Sequence, residues 1–143
     1  MTMRRLIAYA WASPVTGGAL LIVLLGRLTG GRVRFVRGAV ETHGGVIAKI
    51  LRRGFPWSGP AAAMTLGHVI LGCDAECLDR SRDHEHVHVR QYERWGPFFI
   101  PAYLGASVWC WWRGLDAYFD NPFEREAYGE HKRLAGNRAD RLQ

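Results

Sequence analysis

Residues 84–91 read His84-Glu85-His86-Val87-His88-Val89-Arg90-Gln91. His84, Glu85 and His88 satisfy the HExxH pattern, with His86 and Val87 at its free positions. On a helix, residues four apart share a face, so the His84 and His88 imidazoles can close on one Zn²⁺. Glu85 then lies beside the metal's open position, where a carboxylate can take a proton from bound water. Read as a strand instead, His84, His86 and His88 would point to one side and form a different metal triad. Glu85, Arg90, Gln91 and Glu93 favour the helix, and on it His86 turns away from the metal towards the surface.

Working outward, Asp79, Ser81 and Asp83 are candidate N-caps for a helix from about His84 to Trp95, which Gly96-Pro97 stops. Upstream, Met64 to Leu71 reads as a buried strand, with Gly72-Cys73-Asp74 as its exit. His68, inside it, is expected to be a hydrogen-bonded core histidine. The alternation in residues 32–40, RVRFVRGAV, predicts another strand, and Thr42-His43-Gly44-Gly45 a hairpin turn. Val46 to Leu51 suits a second strand or a short helix. Gly54 to Pro60, with two prolines and two glycines, reads as a loop. Downstream, Asn121-Pro122 opens a final helix, and residues 137–143 form a polar tail.

The stretch from His84 to Gln91 resembles the HExxHxxQ variant of small bacterial zincin-like proteins. In gluzincin-type metallopeptidases the third ligand is a Glu on a later helix, often within ExxAD. Here Glu124-Arg125-Glu126-Ala127 matches ExxA, while Tyr128 stands where the pattern has Asp. The resemblance spans about residues 84–128. It implies a Zn²⁺ cofactor on His84, His88 and Glu124, with Glu126 as the alternative third ligand and Glu85 as the general base. It implies a zinc-dependent peptidase or related hydrolase with a peptide or protein substrate. The Tyr128 substitution removes a carboxylate that normally supports a ligand histidine. That loss, with the short chain, gives weight to a second reading, a non-catalytic membrane protein with a structural or sensing zinc site. A third reading is a basic lipid-binding module whose histidines are incidental.

Two uncharged runs set the context. Leu6 to Gly26 lies between Arg4, Arg5 and Arg27, long enough to cross a bilayer as a helix, with Pro14, Gly17 and Gly18 inside it. It reads as an uncleaved anchor or interfacial helix. Trp95 to Trp112 lies between Arg94 and Arg113. A full crossing there would put His88 and Glu124 on opposite faces of a membrane, so it reads as a buried or interfacial hairpin broken at Pro101 and Gly105. Trp109, Trp111 and Trp112 suit a membrane-interface belt.

The formal net charge is +6 and six of the 143 residues are Trp. The arginines are dispersed among apolar stretches, which favours anionic lipid over nucleic acid as partner. Three cysteines, an odd number, argue against a disulfide framework. The segment from Arg27 to Arg94, ends included, carries eleven Lys or Arg, against two before the first run. The positive-inside rule then places the site on the cytoplasmic side of a bacterial inner membrane. The expected organisation is α+β. Residues 1–28 form an apolar anchor or interfacial helix. Residues 29–136 form a minimal zincin-like domain with a small antiparallel sheet, an active helix and a C-terminal ligand helix. The tail follows.

Overall fold

A computed structural model describes residues 3–54 and 59–140, without side-chain detail at 4, 5 and 134–140. The elements in chain order are α1 (Met3–Leu28), β1 (Arg32–Val36), β2 (Ala39–His43), α2 (Gly45–Arg53), β3 (Ala63–Leu66), β4 (Val69–Gly72), α3 (Ala75–Trp95), a 3-10 turn (Gly96–Phe98), α4 (Phe99–Trp112) and α5 (Pro122–Asp140). Residues 55–58 of the expected loop, and 141–143 of the expected tail, lie outside the described residues. Residues 137–140 of that tail continue α5.

Each of the two expected strands is a hairpin. Within 32–40 the chain reverses at Arg37-Gly38, both with positive φ (50° and 88°), and Val36 faces Ala39 across the turn. Paired left-handed residues match the twist of a two-residue hairpin. Within 64–71 it reverses at Gly67-His68, where Gly67 has φ 61° and Leu66 faces Val69. The His68 amide of that turn donates to the Thr16 hydroxyl on α1.

The sheet order is β1-β2-β4-β3. Its outer pairs are antiparallel, but the central pair β2-β4 is parallel, which corrects the antiparallel expectation. The cause is residues 43–53. Thr42 and His43 belong to β2 or its end, Gly44 N-caps α2 with φ 83°, and Val46 to Leu51 is helical. A helix here, rather than a hairpin turn, carries the chain back so that the next hairpin can pair in parallel.

Both faces of the sheet are covered at its central strands, while β1 at the edge stays largely exposed. Val69 and Leu71 join Ala19 and Val23 of α1 and Ile47 and Leu51 of α2. Ile70, pointing the other way, joins Ala39, Leu78 and Val89 on the α3 side. All four residues of β4 are therefore buried. A third cluster, Ala12, Tyr92 and Phe99, ties α1 to α3 and to the start of α4.

Helix α3 begins nine residues before His84, at Ala75. Asp74 caps it, accepting from the Cys77 amide at 2.8 Å. The expected caps sit inside the helix. Asp79 pairs with Arg34 and Arg82, Asp83 pairs with Arg37, and the Ser81 hydroxyl donates to the Cys77 carbonyl. Their carboxylates serve the β1-β2 hairpin instead of the helix end. Helix α4 is also a correction, because it runs unbroken through Gly105 and holds Pro101 in its first turn. Proline is tolerated there because that amide has no helical partner.

Candidate metal centre

The HExxH motif sits in the middle of α3, buried between the sheet on one side and α5 on the other. His84, Glu85, His86 and His88 are each 8% exposed or less. Glu124 lies in the first turn of α5 and is 3% exposed. Its position depends on Asn121. The Asn121 side chain accepts from the Phe123 amide at 3.0 Å, and its amide group donates to the Tyr103 carbonyl and the Ser107 hydroxyl of α4. One residue thus starts α5 and ties it to α4. Ala127, one helical turn beyond Glu124, is fully buried. Its small side chain permits close approach of α5.

The result is a compact donor set. His84 Nε2 lies 3.1 Å from His88 Nε2. The Glu124 carboxylate reaches His84 Nε2 at 3.3 Å and His88 Nε2 at 3.4 Å. All three residues offer a ligand atom within 4.8 Å of the others. A tetrahedral zinc with bonds of about 2.0–2.1 Å holds its ligand atoms about 3.3 Å apart. The donor atoms have that spacing, and Glu124 Oε2 is buried without a hydrogen-bond partner. Two imidazoles and a carboxylate therefore fit a divalent ion here.

Electrostatics inside the cluster follow from this geometry. Burial pushes the Glu124 carboxyl upward, but the close His84 and His88 imidazoles outweigh it and hold the group well below the usual carboxylate range. Burial likewise pushes His88 down, and its contact with Glu124 reverses this and raises it.

The surrounding contacts orient the donors. Gln91, fully buried, stands 2.8 Å from His88 Nδ1 through its Oε1. Its amide donates to the Phe123 carbonyl and to Glu126. With Nδ1–H satisfied by Gln91, the Nε2 lone pair is left for a metal. The Tyr103 hydroxyl donates to Glu124 Oε1 at 2.8 Å. Burial and the Glu124 charge push that phenol upward, so it stays a donor. The Thr65 hydroxyl of β3 donates to Glu85 Oε2 at 2.7 Å. His84 Nδ1, by contrast, has no hydrogen-bond partner among the described residues. The Tyr128 ring lies against His84, centroids 4.6 Å apart.

Of the sequence candidates, the structure gathers His84, His88 and Glu124. Glu126 is outside the cluster and bonds Gln91 and Arg94. The helical course of α3 removes the strand triad. His86 does not join that cluster, but it is buried and not on the surface, at a cleft lined also by Tyr9, Arg37, Gly38 and Glu93. Burial lowers its pKa. His68 is buried, stacked on Tyr9 with centroids 4.0 Å apart and paired with Glu93 at 3.1 Å. The supporting roles of Gln91, Tyr103 and Thr65 were not read from the sequence. Only Gln91 left a signal, at the last position of HExxHxxQ.

No protein-family model matches the chain, and no curated protein or solved structure matches it either. The likeness to zincins rests on the motif residues alone.

Proposed function

We propose that the protein is a membrane-associated, zinc-dependent hydrolase of the metallopeptidase type. The reading is carried by one observation: the His84 and His88 Nε2 atoms stand 3.1 Å apart, and the buried Glu124 carboxylate faces them with Oε2 at 3.3 Å and Oε1 at 3.4 Å, a spacing that suits ligands of one zinc ion. His84, His88 and Glu124 would hold the ion. Bound zinc supplies an acidified water and polarises a carbonyl. Glu85, adjacent to the first ligand and fixed by Thr65, would take the proton from that water and pass it to the leaving amine. Tyr103 holds Glu124 in place from α4.

A second reading, a structural or sensing zinc site on a zincin-type scaffold, is favoured by burial. Glu85 is only 5% exposed and Glu124 only 3%, so a peptide reaches the site only after local opening.

Zinc content and peptide cleavage separate the readings. The purified chain should carry about one zinc, lost in His84→Ala, His88→Ala and Glu124→Ala. Glu85→Gln should keep the zinc and abolish cleavage of a peptide library. A wild-type chain that binds no zinc overturns both readings. Zinc without cleavage by the wild type leaves the structural site.

A further inference from the structure

Helix α1 is apolar on every side, and only one side is occupied. Ala12, Ala19 and Val23 are buried against the domain, and a Cβ at Gly26 would press into Ile47. Their spacing marks a single stripe along the helix. Away from it, Ile7, Leu21, Leu24 and Leu28 are 63%, 70%, 56% and 75% exposed. Helix α4 has a similar surplus. Val108, Trp109, Trp111 and Trp112 are all more than half exposed. Trp11 of α1 contacts Phe98 of the 3-10 turn that leads into α4, ring centroids 6.0 Å apart, so the two helices are joined at the start of α4.

By length and hydropathy α1 could cross a bilayer. Its packing argues otherwise. The docked stripe extends from Tyr9, which bonds the Gly38 carbonyl, through Thr16 at the His68 turn, to Gly26 beside Ile47. At about 1.5 Å per residue that is most of a bilayer's hydrocarbon depth. If α1 crossed while so packed, the domain beside it would enter the hydrocarbon. Arg37–Asp83, the Arg34–Glu41–Arg82 cluster and Glu93 would go with it. Such charges are strongly disfavoured at membrane depth. α4, with 14 residues, spans about 21 Å and is too short to cross by itself.

We infer that the exposed faces of α1 and α4 seat the folded domain in one leaflet of an anionic bilayer, with α1 lying in the membrane plane. The Trp-rich end of α4 suits the headgroup level, where an indole meets both lipid and water. Arg113 stacks over Trp109 at 5.1 Å, so a cation sits at the rim of that apolar surface. Arg27 closes the end of α1. With a formal net charge of +6, the chain complements anionic headgroups. This seat is independent of whether the metal centre is catalytic.

The full chain, with an epitope added at each end, is reconstituted into vesicles and treated with a protease that cannot enter them. For the in-plane helix, each chain keeps both epitopes or loses both. If every chain instead loses one epitope and keeps the other, α1 crosses and the inference fails. Partition to vesicles gives the second arm. Binding should require phosphatidylglycerol over phosphatidylcholine, and W111S/W112S should weaken it by about tenfold, since partition scales with the apolar area buried. Both indoles are about 70% exposed, so the variant's thermal melt should match the wild type. Equal binding to both lipids, or a stable dimer that binds neither, overturns the inference.

Discussion

His88 Nδ1 and Gln91 Oε1 stand 2.8 Å apart on the same turn of α3, and Gln91 in turn bonds the Phe123 carbonyl next to Glu124. One side chain therefore sets the tautomer of a proposed ligand and locks the helix that brings another. Gln91→Ala is expected to leave the fold intact and lower zinc affinity by about 10–100-fold. Competition against a chromogenic chelator measures this; an unchanged affinity would show that Gln91 only packs.

Tyr103→Phe removes the hydrogen bond to Glu124 while keeping the ring in its aromatic contacts with Phe99 and Phe123. The expected loss in zinc affinity is about tenfold, the lower end for an outer partner, because both imidazoles still face the carboxylate. The same chelator titration reads it.

Glu41 is fully buried on β2 and pairs with Arg34 at 2.6 Å and Arg82 at 2.9 Å. Arg82→Ala should destabilise the chain by about 3 kcal/mol, the low end for breaking a buried pair, because Arg34 remains. Urea denaturation gives the value.

The same cluster imposes an acid limb. Burial pushes the Glu41 carboxyl up, but hydrogen bonds from Arg82 and Arg34 outweigh it and hold the group below its ordinary value of 4.5. A lowered folded-state pKa gives stability that is complete above the unfolded value and is lost as pH falls through the folded one. Stability should therefore decline below about pH 4.5. Glu41→Gln should be less stable at neutral pH and show a flatter decline, measured by denaturation at stepped pH.

Gly96 ends α3 with φ 56°, and a Cβ there would run into the Trp11 indole of α1. Gly96→Ala should cost about 1–2 kcal/mol from the left-handed backbone alone, with added strain where α1 docks. A lower melting temperature and faster proteolysis between α1 and β1 are the expected readouts.

Local order was legible in the residues. HExxH spacing implied two imidazoles on one face, and Pro122 and Asn121 marked the start of α5. The apolar run of α1 was equally plain. The two reversals inside the expected strands were not, because Arg37-Gly38 and Gly67-His68 turn through positive φ, which a single Arg-Gly or Gly-His pair does not announce. The start of α3 is hidden for a related reason. Asp79, Ser81 and Asp83 resemble caps, yet their partners lie on β1, on the β1-β2 turn and in the helix itself.

What the sequence determined by itself was a helix able to present His84, His88, Glu85 and Gln91 in register, since a repeat of about 3.6 residues fixes those directions locally. That Glu124 and not Glu126 faces them was decided by tertiary packing. Two acids two residues apart point to different sides of α5, and which side meets α3 depends on Asn121 bonding α4 and Ala127 fitting the interface. The parallel β2-β4 pairing and the docking of α1 were decided in the same way. They arise from contacts between segments distant in the chain, which no local pattern encodes.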